Sequence, residues 1–241
     1  MDGKHIVITG GTSGIGLELV NQLYDGNEIS VIARSSPKLD ALRDKFERIR
    51  IYEADLANQQ AVEKVADLLV RDDRKIHVLI NNAAVQYTPH FLSEDFSYET
   101  IRREIDVNFT SVCTLIYLLM PSLLHDEPAM IVNINSGLGL VPKTSSAIYC
   151  ATKGALNIFS QSLQHQLEET NIEVKQAILP LVDTAMTHGR GRNKLSPEKA
   201  AEAIIRGMQN SGPTIDIGKV KILRILQRLS PSLAQKIMKA S

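Results

Sequence analysis

One tyrosine of this chain has a lysine four positions after it. The pair is Tyr149 and Lys153, within AIYCATKGAL (147–156), and none of the other five tyrosines has a lysine at that spacing. Residues four apart lie on one face of a helix. A phenol has an ordinary pKa of about 10, and a nearby ammonium favours its ionised form, so the pair could exchange a proton with a reacting oxygen.

A glycine-rich turn near the N-terminus could hold an anion. The apolar run HIVIT (5–9) leads into TGGTSGIG (9–16). Glycines permit close approach of backbone N–H groups, and the following helix N-terminus adds partial positive charge. The spacing is Gly-x3-Gly-x-Gly rather than the commoner Gly-x-Gly-x2-Gly, and such turns also join strands to helices without any ligand. The expected nucleotide contacts in this turn are Gly10, Thr12, Ser13, Gly14, Ile15 and Gly16.

The residues after the run ISVIA (29–33) indicate which dinucleotide would bind. A chain that binds NAD usually has a carboxylate there, about 20 positions after the glycine turn, for the ribose 2′-hydroxyl. This chain has Arg34 and Ser35 instead. Because a guanidinium fork suits a 2′-phosphate, we expect NADP(H), with NAD(H) as the alternative and a plain surface arginine as the competing interpretation.

The elements that must position these residues alternate along the chain. Apolar runs predict strands, and helical patterns follow them. Six such alternations predict a single α/β domain over residues 1–241, a Rossmann-type doubly wound parallel sheet with helices on both faces. Ser36 and Ser196, each before a proline, are expected helix N-caps. The predicted strands are 5–9, 29–33, 48–52, 77–81, 130–135 and 173–179, and the predicted helices are 14–24, 37–47, 58–71, 98–120, 148–169 and 197–209.

Composition argues against several classes of protein. The 241 residues are 22% charged with a formal net charge of zero, which disfavours disorder and bulk nucleic-acid binding. Cys113 and Cys150 lie far apart without metal-ligand spacing, so we expect no metal site and a reduced, cytoplasmic protein. We also expect neither a signal peptide nor a membrane-spanning segment.

The zero net charge hides an asymmetry. Residues 1–186 carry 16 basic and 24 acidic side chains, whereas residues 187–241 carry 11 basic and 3 acidic ones. The loop THGRGRNKL (187–195) would suit an anionic substrate or a cofactor phosphate, or it is simply a solvated basic loop. Residues 219–241 form a basic amphipathic extension, which could lie peripherally on the inner face of a membrane, cover a cleft or pack against a partner subunit.

Several motifs follow one another along the chain in an order typical of one protein family. They are TGGTSGIG (9–16), NNAA (81–84), VN (107–108), Ser136 and Tyr149-x3-Lys153. Together they resemble the classical short-chain dehydrogenase/reductase family over essentially the whole chain. The resemblance implies an oxidoreductase that transfers a hydride between nicotinamide and a small carbonyl/alcohol substrate. It implies that Tyr149 is the acid/base, that Lys153 bonds the nicotinamide ribose, that Ser136 orients the substrate oxygen and that Asn108 supports a water relay.

The resemblance also implies further cofactor contacts and an oligomer. Gly154 and Ala155 lie on a helix that commonly joins subunits in the family, which implies a homodimer or homotetramer. The loop LPLVDT (179–184) lacks the family's glycine and is one residue shorter, so the register of its contacts is open. Two smaller departures from the family pattern are Asn135, where many members have serine, and Ala84, where glycine is usual. The implied contacts are Asp55, Leu56, Asn82, Ala83, Ala84, Val107, Tyr149, Lys153, Pro180, Val182 and Thr184.

Two other functions compete with an oxidoreductase. A non-catalytic NAD(P)-binding regulator or scaffold of the same fold is disfavoured because Asn108, Ser136, Tyr149 and Lys153 are all present. A sugar-nucleotide epimerase or dehydratase is disfavoured by the short C-terminal part and the loop spacing. The chain is also similar to bacterial family members associated with cell-envelope modification, including those encoded beside teichoic-acid D-alanylation, and this similarity assigns no substrate.

Overall fold

The fold is organised around one parallel sheet. A computed structural model describes residues 1–94 and 96–239, and within them seven strands pair in the order β3-β2-β1-β4-β5-β6-β7. The predicted α/β class and all six predicted strands are confirmed, and a short seventh strand pairs with the end of β6. The strands are β1 (His5–Thr9), β2 (Glu28–Ala33), β3 (Arg50–Glu53), β4 (Val78–Asn81), β5 (Ala129–Ser136), β6 (Ile172–Leu179) and β7 (Thr214–Asp216).

Helices cover both faces of this sheet. Side chains of β1 alternate between the faces, as a strand's period of two requires: Ile6 and Ile8 join one core and Val7 the other. The first core also receives α1, α2 and α7, and the second receives α3, α5 and α6. The α-helices are α1 (Gly14–Leu23), α2 (Pro37–Lys45), α3 (Gln59–Arg71), α4 (Tyr98–Ile105), α5 (Ser111–Leu123), α6 (Ala147–Gln166), α7 (Pro197–Met208), α8 (Val220–Leu229) and α9 (Pro231–Lys239).

Local signals explain where two helices begin. The Ser36 hydroxyl accepts a hydrogen bond from the backbone N–H of Leu39 at 3.3 Å, and Ser196 does the same for Lys199 at 3.3 Å. Each satisfies a backbone donor that the first helical turn leaves without a partner. The two predicted N-caps are therefore confirmed.

The helix predicted over 98–120 is in fact interrupted. A π-helical turn, Asp106–Thr110, separates α4 from α5. Such turns insert one residue into the helical register and are frequent at functional sites. The turn brings the side chains of Val107 and Asn108 into the interior. A sequence pattern does not reveal a single inserted residue, which is why one continuous helix was predicted.

The stretch Tyr98–Leu123 bears on the expected absence of a membrane span. By length and composition alone this stretch is apolar enough to cross a membrane, and the expected absence of a membrane span stays a prediction. Its apolar side chains are nevertheless used inside the domain. Leu115, Leu119 and Leu123 are buried in the core between the sheet and α3. A buried core helix passes the same test of length and hydropathy as a membrane helix.

The carboxyl ends of β1 and β4 are tied to each other where the strand order reverses. The Thr9 hydroxyl accepts hydrogen bonds from the backbone N–H groups of Asn82 (2.9 Å) and Ala83 (3.0 Å). The Asn82 side chain in turn donates to the carbonyls of Thr9 and Gly10. A crevice opens at this reversal point, where open α/β sheets bind their ligands.

The basic amphipathic extension packs on its own domain. The Arg224 guanidinium pairs with Asp216 at the end of β7, and the Gln227 amide donates to the Leu140 carbonyl at 2.8 Å. The Thr144 hydroxyl donates to the Lys239 carbonyl at 3.0 Å. Helices α8 and α9 therefore close over the connection between β5 and α6, as the cleft-covering alternative predicted, while part of their apolar surface stays exposed.

Candidate active site

A single crevice collects the predicted cofactor contacts. It runs along the carboxyl edge of the sheet with a volume of about 1600 Å³. Its lining includes the glycine turn, the residues after β2, the motif after β4 and the loop after β6, together with Ser136. Every cofactor contact predicted from the sequence lies on this surface, and their individual roles stay predictions. These residues are Gly10, Thr12, Ser13, Gly14, Ile15, Gly16, Arg34, Ser35, Asp55, Leu56, Asn82, Ala83, Ala84, Val107, Tyr149, Lys153, Pro180, Val182 and Thr184.

The glycine turn forms a cradle that side chains would fill. A Cβ added to Gly16 would lie 2.1 Å from the Gly10 carbonyl oxygen and 2.5 Å from the Asn82 amide nitrogen. Gly10 itself has a φ of +72°, in the left-handed region that favours glycine. The glycines therefore let the turn pack tightly against the N-terminus of α1 and the residues after β4, at a surface that lines the crevice. This cradle fits the pyrophosphate of a dinucleotide.

The other end of the crevice is positively charged. Arg34 directly follows β2 and is exposed, and Ser35 and Lys38 line the wall beside it. The expected adenine residue Asp55 accepts two hydrogen bonds from Arg103 of α4, at 3.1 and 3.0 Å. Partial burial opposes ionisation of Asp55, but the Ala57 backbone N–H and the Arg103 guanidinium hold its pKa below the ordinary value. Sequence reasoning missed Arg103, because this ion pair joins residues 48 positions apart.

The proposed acid/base pair is buried on α6. Tyr149 is 8% exposed and Lys153 is 4% exposed. The Lys153 ammonium donates to the Ile134 carbonyl of β5 at 2.8 Å and lies 5.8 Å from the centre of the Tyr149 ring. The helix spacing thus places the two side chains together against the end of β5, as predicted.

The protein's own groups do not make this phenol acidic, which corrects the sequence-based expectation. Burial raises the pKa of Tyr149 to about 12, although the Ser136 hydroxyl and Arg190 oppose the rise. Burial also lowers the pKa of Lys153 to about 8. Both shifts have one cause, since the charged form of either group loses hydration. The Lys153 ammonium lies 5.8 Å from the centre of the Tyr149 ring, and the effect of burial on the phenol prevails.

Ser136 is held at the end of β5 by its neighbour. The Ser136 backbone N–H donates to the Asn135 side-chain oxygen at 2.8 Å, and the Asn135 amide donates to Gln176 of β6 at 3.0 Å. The Ser136 hydroxyl accepts from the Leu138 backbone N–H at 3.1 Å. Asn135, where many family members have serine, therefore fixes the strand end that presents Ser136 to the crevice.

Asn108 does not line the crevice, but it holds two segments that do, the one after β4 and helix α6. Its side-chain oxygen accepts from the Val85 backbone N–H at 2.8 Å, and its amide donates to the Val85 carbonyl at 2.8 Å and to Thr152 at 3.2 Å. The π-helical turn thereby joins the segment after β4 to α6. These contacts explain a positioning role, and the water relay through Asn108 stays a prediction.

The shortened loop after β6 still reaches the crevice. A bridge between Val182 and Leu195 closes the loop on itself, with the Asp183 N–H donating to the Leu195 carbonyl at 2.8 Å. Thr184 lies against the glycine turn, since a Cβ on Gly14 would sit 3.0 Å from its methyl carbon. Pro180, Val182 and Thr184 all line the crevice wall, as Leu181 and Met186 do, and the register of their nicotinamide contacts stays a prediction.

A buried carboxyl group near Tyr149 was missed by sequence reasoning. Glu104 of α4 is 2% exposed and accepts a hydrogen bond from the Tyr87 backbone N–H at 3.0 Å. Burial raises the pKa of Glu104 to about 7, against the effect of that hydrogen bond. Its charge also helps to raise the pKa of Tyr149. Nothing in the helix pattern distinguishes Glu104 from a surface glutamate.

Comparison with known proteins agrees with this geometry. The sequence model described as short chain dehydrogenase matches residues 4–195. This chain belongs to the short-chain dehydrogenase family. As such it is an oxidoreductase of the kind that acts on CH–OH or carbonyl groups with NAD(P), and the predicted family and enzyme class are confirmed.

Three proteins illustrate the relationships of this short-chain dehydrogenase. It is 32% identical over 232 residues to the uncharacterized oxidoreductase DltE of Bacillus subtilis (strain 168), covering 93% of this chain and 92% of that protein. It is 30% identical over 220 residues to the very-long-chain 3-oxoacyl-CoA reductase of Homo sapiens, covering 86% and 70%. A short-chain dehydrogenase from Sphingobium yanoikuyae in complex with NADPH superposes with a TM-score of 0.81 at 25% identity, covering 99% and 98%. The DltE relationship fits the predicted similarity to cell-envelope-associated members.

The pKa of Glu104 predicts a stability difference that depends on pH. The folded pKa of about 7 lies above the ordinary value of 4.5, so the wild-type protein loses stability as pH rises through that interval. Glu104→Gln keeps the oxygen that accepts from Tyr87 but cannot ionise. Relative to wild type, the variant should gain on the order of 1 kcal/mol in free energy of unfolding between about pH 5 and about pH 8.

Urea unfolding at the two pH values measures this difference. Glu63→Gln, an exposed change on α3, is the matched control and should show no gain. An equal difference between Glu104→Gln and wild type at both pH values would contradict the assignment of a neutral, buried carboxyl.

Proposed function

We propose that this short-chain dehydrogenase transfers a hydride between NADP(H) and a carbonyl/alcohol pair, with Tyr149 exchanging the proton. The supporting observation is the convergence of Tyr149, Lys153 and Ser136 on one wall of a crevice that continues into the glycine cradle. A bound nicotinamide supplies the hydride chemistry. The protein's part is to hold the substrate oxygen and to move one proton.

Each of the three side chains has a distinct part in this proposal. The Ser136 hydroxyl, fixed at the end of β5, bonds the substrate oxygen and stabilises charge that develops there. A phenol with a pKa of about 12 carries its proton at neutral pH, so Tyr149 is poised to donate that proton to the oxygen. Lys153, bonded to the Ile134 carbonyl, keeps a positive charge below pH about 8. The protonated phenol is the form that donates its proton when a carbonyl is reduced.

NADP(H) is the preferred cofactor in this proposal. Arg34 and Lys38 face the same part of the crevice, beside the N-terminus of α2. The carboxylate closest to this wall, Asp55, is already engaged by Arg103. A 2′-phosphate would therefore meet the positive charges of Arg34 and Lys38, of which Arg34 also interacts with Asp55. A 2′-hydroxyl would find no free carboxylate among the described residues that line the crevice.

Arg34→Ala tests the cofactor preference. A charge-assisted hydrogen bond is worth about 1.5–3 kcal/mol, so the dissociation constant for NADPH should rise roughly 10- to 100-fold while that for NADH stays unchanged. Fluorescence titration of both cofactors measures the constants. Arg102→Ala, an exposed arginine on α4 outside the crevice, is the control. An equal loss for both cofactors, or none, would show that Arg34 does not read the 2′-phosphate.

Tyr149→Phe tests the catalytic proposal. The variant keeps the aromatic ring and removes the hydroxyl, so turnover should fall by roughly 10²- to 10⁴-fold while NADPH binding is retained. The assay follows NADPH absorbance over a panel of aldehydes, ketones and oxo acids. The exposed Tyr98→Phe is the control. If the wild type binds NADPH and turns over none of these carbonyls, the alternative of a non-catalytic cofactor-binding regulator gains support.

The proposed assembly is a homodimer or homotetramer joined through α5 and α6. Tyr117 on α5 and Ile158 on α6 are large side chains that stay exposed on this domain. Gly154 and Ala155 would let a second helix approach α6 closely. An apolar, partly small-residue face of this kind supports subunit contact.

The basic amphipathic extension supports peripheral contact of a cytoplasmic protein with the inner face of a membrane. Ile225 and Leu229 of α8 are 59% and 78% exposed, and Leu233 and Ile237 continue the apolar surface onto α9. Exposed Lys221, Arg228, Lys236 and Lys239 accompany them, and residues 219–241 contain no acidic side chain. An anionic lipid surface complements this pattern.

Vesicle sedimentation tests this contact. The intact chain should sediment with phosphatidylglycerol vesicles and not with phosphatidylcholine vesicles, and added salt should weaken the binding because it screens exposed charges. Ile225→Ser combined with Leu229→Ser should abolish sedimentation without unfolding the domain. If the intact chain does not bind vesicles, the exposed apolar face would instead contact a second subunit. Size-exclusion chromatography of wild type and of the double variant would then show a smaller assembly for the variant.

A further inference from the structure

Arg190 carries a buried group that finds no partner among the described residues. It lies after the 3-10 turn Ala185–Thr187, on the loop that folds over the crevice, and it lines the crevice wall. Its Nη2 donates to the Met186 carbonyl. Its Nη1 is buried, and residues 1–94 and 96–239 offer it no hydrogen-bond acceptor. A buried donor left unsatisfied costs about 1–3 kcal/mol or more when charged, so such a group indicates a missing acceptor.

A second cation lines the same crevice, near enough to Arg190 for the two charges to interact. Lys143 lies on the connection between β5 and α6, six residues before Tyr149, and also lines the crevice. Burial and the charge of Arg190 both lower the pKa of Lys143. Within the described part of the chain, neither cation forms an ion pair with a carboxylate. Two uncompensated cations held near each other favour an anion between them.

These cations lie on the catalytic side of the crevice. The charge of Arg190 acts on Tyr149, and that of Lys143 acts on Cys150, the next residue. Glu104 also acts on Tyr149 and Cys150, but its carboxyl accepts from the Tyr87 backbone. The glycine cradle and Arg34 line other segments of the crevice, where the phosphates of a dinucleotide are expected. The position therefore suits a substrate group better than a cofactor phosphate.

We propose that Arg190 and Lys143 form an anion subsite beside Tyr149, so that the substrate is a carbonyl compound bearing a carboxylate or phosphate group. This inference rests on the proposed function and names its substrate class. A carboxylate offers two acceptors to the guanidinium fork, and the Lys143 ammonium adds a point charge. Binding the anion here would orient the carbonyl toward Tyr149 and Ser136. Leu181 and Met186 line the same wall and would contact the substrate's carbon chain.

Calorimetric titration with malonate, an inert dicarboxylate, tests the subsite without turnover. Wild type saturated with NADP⁺ should bind malonate, and Arg190→Gln should weaken that binding at least tenfold. Lys143→Gln is the second variant, on a different segment, and should weaken it as well. Arg206→Gln removes an exposed guanidinium from α7, outside the crevice, and should have no effect. Malonate binding that is absent from wild type, or equal in wild type and Arg190→Gln, would overturn the proposal.

Kinetics separate this subsite from the proposed reaction itself. The preference in kcat/KM for oxo acids over their methyl esters should fall at least tenfold in Arg190→Gln, while the dissociation constant for NADPH stays unchanged. A tenfold weaker NADPH affinity with an unchanged acid preference would assign Arg190 to a cofactor phosphate and overturn the subsite. Turnover with equal preference for acids and esters would overturn the subsite alone. Absence of any turnover would reject the proposed function, and the malonate titration would still decide on the subsite.

Discussion

The burial of two ionisable side chains on one turn of α6 is the constraint on which the site depends. Tyr149 and Lys153 both lose hydration, so the phenol holds its proton more tightly and the ammonium holds its proton less tightly. Two hydrogen bonds partly offset the lost hydration, one from the Lys153 ammonium to the Ile134 carbonyl and one between Tyr149 and Ser136. Both side chains are thus fixed in place, and the Tyr149 phenol keeps its proton. This form suits a group that donates a proton to the oxygen of a carbonyl during its reduction.

The remainder of the fold holds that pair at the edge of a crevice. Asn135 bridges β5 to β6 and fixes Ser136, while Asn108 bridges the segment after β4 to α6. Thr9 and Asn82 join the strand ends where the chain order reverses. These are hydrogen bonds that buried or half-buried side chains form with backbone groups and with other side chains, and they specify geometry because an unmade partner would be costly. The glycine cradle and the side chains of Ser136, Tyr149 and Lys153 are therefore held in fixed positions along one crevice.

Much of this architecture could be predicted from the sequence because its signals are local. Apolar runs fixed the six longer strands, glycine spacing marked the turn after β1, and Tyr149 and Lys153 needed only a helix to bring them together. Strand β7 was missed because three partly exposed residues carry too little pattern. Glu104, Arg103 and Lys143 were not assigned to the site, because their settings arise from contacts with distant segments, and Arg190 was predicted only as one member of the basic loop 187–195 that would suit an anion. Their burial and partners exist only once the sheet edge and its loops have assembled.

The most direct test of the central claim is a titration of the Tyr149 hydroxyl. The ultraviolet difference spectrum between wild type and Tyr149→Phe reports its ionisation, with and without NADP⁺. We predict no phenolate signal from Tyr149 in the protein alone at pH about 10, the ordinary pKa of a phenol, and a clear signal once the positively charged NADP⁺ ring is bound. Half-ionisation near pH 10 in the protein alone, unchanged by NADP⁺, would contradict the claim that burial governs this residue.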